Sequence, residues 1–182
     1  MSFSAQKLAL IGVLIALAIA LKLPILTVPN VEFFTFIVFS SGYLLGTTGG
    51  VVVGIISISI YTSIITPYGL PPLPIALAQI FCMGLIGFAG GLAFRLNAIA
   101  LDQNSSFRPY LSILILGISG LVLTIIYDLF TNLATAFVVG QFLPVMIAAI
   151  PFALIHILSN VIIFMVLAPL LMKISKAQPA KI

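Results

Sequence analysis

Charge is what this chain has least of. Its 182 residues include seven Lys or Arg and three Asp or Glu, 5% in all, where an ordinary soluble domain carries about 25%. With 63% hydrophobic side chains, that scarcity excludes a water-facing globular domain. It also excludes disorder, which needs little apolar area and much charge. Cysteine is nearly absent. Cys82 stands alone in an apolar run, so no disulfide framework or zinc cluster is available, and it reads as a small buried hydrophobe. There is no Gly-rich phosphate loop ending in Lys-Ser/Thr, which excludes a P-loop ATPase. No His-Glu-x-x-His pair, row of Arg or carbonyl-filter sequence is present either. We expect no cofactor and no metal.

What is present is long apolar runs. A membrane helix needs about 20 mostly apolar residues. The runs predict an all-α integral membrane protein with helices at about 7–26, 32–45, 49–65, 74–95, 110–138 and 144–172, in one domain over 1–182. The first run has no small-residue cleavage site and is expected to be retained. The stretch 33–65 would span about 50 Å as one helix, more than the roughly 30 Å of hydrocarbon, and Gly46–Gly50 offers a turn in its middle. Six crossings put both termini on one side. Lys7, Arg95, Arg108, Lys173, Lys176 and Lys181 then share that side and only Lys22 lies opposite, so the positive-inside rule makes the termini cytoplasmic. A single helix over 33–65 would leave the charge count equally lopsided, so the front half of the topology rests on the Gly46–Gly50 break. The net charge of +4, placed at segment ends, reads as multi-pass topology in a cell membrane and not as nucleic-acid binding.

Small residues recur at spacing four: Gly12, Ala16 and Ala20; Gly46, Gly50 and Gly54; Gly87 and Gly91. Such rows let helix backbones approach closely in lipid. The later two rows read as packing inside the bundle. For the first row, internal packing and docking of an external partner both stand.

Polar residues inside apolar runs are the strongest functional signal. Asp128 and Asn132 lie four apart on one predicted helix, and His156 and Asn160 four apart on the next, so each pair shares a face. Thr124, Thr131 and Thr135 surround Asp128. Ionisable groups in lipid are expensive and usually face a cavity or a partner. A ligand site opening outward and a self-satisfying structural pair both fit. The connections 24–32 and 66–73 add Asn30, Glu32 and Tyr68 beside Phe33, Phe34 and Tyr61. An aromatic wall with a few hydrogen-bonding groups suits a flat heterocycle; interfacial belts use Tyr the same way. As an alternative, Asp128 with a His neighbour suits a proton-coupled secondary transporter. A remote third reading is an intramembrane serine protease. Gly117-Ile-Ser119-Gly120 matches the Gly-x-Ser-Gly of rhomboid proteases, with His156 as base. Nine residues separate Ser119 from Asp128, which places them on roughly opposite helix faces, and the Gly-rich segment that follows the catalytic His in rhomboids is absent.

The chain resembles the S components of energy-coupling-factor (ECF) transporters. The resemblance covers essentially its whole length and rests on size, six apolar helices, the Ala16-Leu-Ala-Ile-Ala20 pattern of the first helix, Pro29-Asn-Val-Glu32 followed by 33–42, and Asp128-Leu-Phe-Thr-Asn132. It implies a non-enzymatic subunit that binds a vitamin-like small molecule from outside. The pocket would be closed by the loops 24–32 and 66–73, with Asp128, His156, Asn132, Asn160, Glu32, Asn30 and Tyr68 as the binding set. It further implies docking of the first helix (Gly12, Ala16, Ala20) on a transmembrane T component that is coupled to two cytoplasmic ATPases. The Asp-Leu-Phe-Thr-Asn stretch looks most like S components for cobalamin or its lower-ligand precursors, with riboflavin, pantothenate and queuosine-precursor carriers also open. With Lys22 the only outer cation, a strongly anionic ligand is disfavoured.

Overall fold

The computed structural model describes residues 4–28, 30–66, 69–96 and 108–177. Within them the chain forms helices α1 (Ala5–Lys22), α2 (Phe34–Ile60), α3 (Leu73–Arg95), α4 (Arg108–Val139) and α5 (Phe142–Ala177). All five apolar segments are long enough to cross a bilayer. This is an all-α bundle compatible with a multi-pass membrane protein.

Local chemistry sets the ends. Ser4 caps α1 by accepting from the Lys7 amide at 3.2 Å. Lys22 sits in its last turn, where a cation suits the helix dipole. Pro24 then tightens the chain into a 3-10 turn, Leu23–Ile25, because proline lacks the N–H that a further α turn requires. At the end of α2 the helix widens into a π turn, Tyr61–Ile65, closed by the Thr66 amide on Tyr61 O at 2.9 Å. Prolines at the first turn of α3 sit where their missing N–H has no intrahelical partner to lose.

Where the sequence predicts helices over 32–45 and 49–65, the structure has one element, α2, interrupted at Gly46. That residue has φ 83° and ψ 170°, a left-handed conformation that glycine tolerates. The interruption reverses the chain. A Cβ placed on Gly50 would collide with Gly42 Cα, and one on Gly54 would lie 3.1 Å from Val38 Cγ1. Along an unbroken helix, residues 42 and 50 would be about 12 Å apart. The two halves of α2 therefore lie back to back, and Phe34 meets Tyr61 with ring centroids 6.2 Å apart.

α3 packs along this hairpin, α4 pairs with α5, α1 lies on α2, and α3 joins α4. The glycine rows do the close work: a Cβ on Gly87 would strike the Gly50 carbonyl, and one on Gly91 the Thr47 backbone. The core is aromatic and aliphatic, with Phe34, Phe39, Tyr43, Met83, Leu116 and Phe164 almost fully enclosed. Phe36 stands edge-on to Phe164 at 5.1 Å. Large apolar side chains such as Phe137, Leu154 and Val166 point outward, the arrangement a lipid surround allows. Gly12, Ala16 and Ala20 are exposed on α1, and nothing lies within 4 Å of where a Gly12 Cβ would be.

The bundle has two distinguishable ends. Asn30 Nδ2 donates to Phe152 O at 2.8 Å, and Ser159 Oγ donates to Asn30 O at 2.9 Å, so the segment after α1 is clasped to the first half of α5. At the other end Arg95 reaches Thr47 Oγ1, beside the Gly46 turn, at 3.5 Å. Lys173 lies 21 positions beyond Phe152 on α5, about 30 Å along the axis.

Candidate functional site

A cavity of about 590 Å³ opens at the Asn30 end. α1 contributes Lys22 to its lining, the segment after it Asn30 and Glu32, the π turn Tyr61 and Thr62, and α3 Gln79. Tyr127, Asp128, Thr131 and Asn132 enter from α4, Phe152 and His156 from α5, and Gly69–Pro72 from the connection between α2 and α3.

A continuous polar chain crosses it. Lys22 Nζ bonds Glu32 Oε2 in a close ion pair, and Thr35 Oγ1 donates to Glu32 Oε1 at 2.8 Å. His156 Nε2 lies 3.5 Å from that same Oε1, and His156 Nδ1 lies 2.7 Å from Asp128 Oδ1. Four ionisable groups on α1, the segment before α2, α5 and α4 are thus linked in a row. His156 is 5% exposed and Glu32 6%. The Lys22 ammonium also stands 4.5 Å from the Tyr61 ring centroid and 5.2 Å from that of Phe34, favourable cation–π geometry. Tyr127 meets the His156 ring edge-on at 5.8 Å. Burial by itself raises the Glu32 carboxyl; the paired Lys22 ammonium, with His156 nearby, outweighs it and holds the group below the usual carboxylate range.

The carboxylate of Asp128 only accepts, so the imidazole Nδ1 carries the hydrogen of the 2.7 Å contact. Several buried polar atoms have no partner: Asp128 Oδ2, His156 Nε2 and Gln79 Oε1 at the cavity, and Thr124 Oγ1, Ser40 Oγ and Asn160 Oδ1 away from it. Leaving such a group unpaired costs about 1–3 kcal/mol, and ligand pockets are where such atoms find their partners.

The structure gathers Asp128, His156, Asn132, Glu32 and Asn30 around one space. Asn160 is fully buried and donates to His156 O at 3.3 Å, one turn deeper and outside the lining. Asn30 lines the cavity with φ 59°, its amide occupied by Phe152 O. Tyr68 lies outside the described residues. Ser119 Oγ donates to Ile115 O at 2.9 Å and lines a different, apolar cavity with Phe39, Ala89 and Leu123, away from His156. Sequence reasoning placed Lys22 as the one basic residue on the outer side; the structure turns it onto Glu32. It overlooked Gln79 and Tyr127. Gln79 carried the same mark as Asp128, a lone polar side chain in an apolar run.

Comparison with protein-family models, with curated proteins and with solved structures finds no match to this chain.

Proposed function

We propose that this chain is the substrate-binding S component of an ECF-type ABC importer. It captures a vitamin or related micronutrient from outside and delivers it through a T component driven by separate cytoplasmic ATPases. The observation that carries the reading is the cavity itself. A space of about 590 Å³, lined by polar and aromatic side chains, opens at the end of the bundle opposite Arg95, Lys173 and Lys176. Polar groups in a bilayer-spanning bundle are costly unless they are paired or face a cavity, and here several face one with buried atoms unpaired.

Six crossings with both termini cytoplasmic follow if each half of α2 counts as one span; the Gly42–Gly50 contact supports that count. The basic ends then face the cytoplasm and the cavity faces out. Ile25, Leu26 and Asn30 from the first expected gating loop, and Thr66 and Gly69–Pro72 from the second, border the cavity, in keeping with the ECF resemblance. The exposed Gly12–Ala16–Ala20 face is free to meet a T component in the plasma membrane. Among cargoes, the resemblance favours cobalamin or its precursors; the cavity volume, typical of drug-sized ligands, favours the small precursor over the intact corrinoid.

Liposomes test the proposal. The chain alone should bind ligand without accumulating it. Together with a T component and two ATPases it should accumulate ligand only when ATP is inside. The second reading, a proton-coupled carrier using Asp128, draws on the 2.7 Å contact with His156. Accumulation by the chain alone under a pH gradient would establish it and remove the importer.

A further inference from the structure

We infer that the occupant of this cavity is a planar nitrogen compound without net negative charge, which presents N–H groups to Asp128 Oδ2 and to the Gln79 amide. The inference deepens the binding-subunit reading and rests on it only in taking the cavity to hold a ligand.

Charge balance excludes an anion. The charged and imidazole groups lining the cavity are Lys22, Glu32, Asp128 and His156. With a neutral imidazole they sum to −1, with an imidazolium to zero. The one permanent cation, Lys22, is already engaged by Glu32 and covered by the Tyr61 ring. Among the described residues no unengaged positive charge remains to meet a carboxylate or phosphate, because an imidazolium at His156 would already face the Asp128 and Glu32 carboxylates, and burying an unpaired anion is costly.

The unpartnered atoms then state what is wanted. Asp128 uses Oδ1 on His156, while its buried Oδ2 accepts from nothing. His156 Nε2 and Glu32 Oε1 stand 3.5 Å apart, too far for a good hydrogen bond. The buried Oε1 of Gln79 has no partner either, and Gln79 lines the same cavity from α3. The surplus is on the acceptor side, and it is relieved by a ligand that donates. Tyr61 and Tyr127 supply aromatic surface at the same cavity, which suits a flat ring and tolerates a positive one. Asp128 and Gln79 are on different helices, so together they impose a two-point geometry on the donors.

The test uses the purified full chain in nanodiscs and three matched probes: 2-aminobenzimidazole, 2-(dimethylamino)-1-methylbenzimidazole and benzimidazole-2-carboxylate, with calorimetry as readout. The first should bind at least about tenfold more tightly than the second, and the third should not bind. Asp128→Asn, Gln79→Leu and Gln79→Met should each lower affinity for the first probe at least about tenfold and narrow its advantage over the methylated probe. The two Gln79 variants guard against one of them misfolding, and thermal unfolding of each checks this. In parallel, mass spectrometry of small molecules retained through gentle purification should find an N–H-bearing, non-anionic compound. Equal or tighter binding of the methylated or carboxylate probe overturns the inference. So does failure of all three probes to bind at millimolar concentration, or an anionic co-purified occupant. Donor-selective binding without ATP-driven uptake would leave this inference standing and remove the importer. ATP-driven uptake of an anion would do the reverse.

Discussion

His156 Nδ1 lies 2.7 Å from Asp128 Oδ1, a charge-assisted contact that fastens α5 to α4 where both line the cavity. Asp128→Asn keeps an oxygen that can accept from the imidazole but removes the charge. Hydrogen bonds to charged groups contribute about 1.5–3 kcal/mol, so ligand affinity should fall roughly ten- to hundredfold with the fold retained. Ligand titration alongside a melting curve checks both halves. Unchanged affinity in a folded variant would show that the pair serves the fold alone.

Lys22 and Glu32 form the outermost link of the same chain. Removing one partner of a buried pair strands the other, at up to about 3–5 kcal/mol; Lys22, at 18% side-chain exposure, should give less than that limit. Lys22→Met should therefore destabilise more than the double variant Lys22→Met/Glu32→Gln, and a double-mutant cycle measures the difference.

The pH response of that link has a definite sign. The Glu32 carboxyl is held below its ordinary value of 4.5, so its contribution to stability is fully present above that value. It is lost only as pH falls through the lower, folded-state value. Melting temperature should therefore show no Glu32 step between pH 5 and 8. Lys22→Met removes the main lowering charge while burial still raises the carboxyl, so the acid loss of stability should begin at higher pH. Melting curves from pH 3 to 8 for both proteins decide it.

Glycine rows that look alike in sequence should respond oppositely. At Gly87 a Cβ would strike the Gly50 carbonyl; Gly87→Ala forces two helix backbones apart and should destabilise by about 1–3 kcal/mol or more. At Gly12 a Cβ meets nothing within 4 Å, and Gly12→Ala should stabilise slightly, because alanine favours the helix by about 0.8–1 kcal/mol over glycine. Thermal unfolding of the two variants in one detergent gives the comparison.

Under the proposed function, the exposed face of α1 should separate binding from delivery. Ala16→Leu with Ala20→Leu adds bulk where α1 faces outward and leaves the cavity untouched. Ligand affinity of the isolated chain should stay within about twofold, since surface changes are usually within ±0.5 kcal/mol. Co-purification with the T component and ATP-driven uptake should both be lost. Retained uptake would remove α1 from the docking role.

Much of the helical framework was legible because it depends on local properties. Long apolar runs, Pro24 after Lys22, the prolines at the start of α3 and the weak point at Gly46 all act through neighbours in the chain. The pairing of Asp128 with Asn132 on one face, and of His156 with Asn160 on another, also follows from helix geometry. What spacing left undetermined was which of these faces meet. Asn160 shares a face with His156 but points one turn deeper, and Lys22 bends onto a carboxylate ten residues away instead of reaching outward. Gln79 was overlooked because its significance comes from α4 and α5 across the cavity, elements that begin some thirty residues or more later in the chain.

The long unbroken apolar runs by themselves determined that this protein is helical and suited to a membrane, because a barrel strand alternates apolar and polar residues and needs only about ten of them to cross. Only the tertiary structure decided that a carboxylate on α4, an imidazole on α5, a second carboxylate before α2 and an amide on α3 border one space. Side chains so far apart in sequence become neighbours through the packing of several helices at once, and no local pattern encodes that packing.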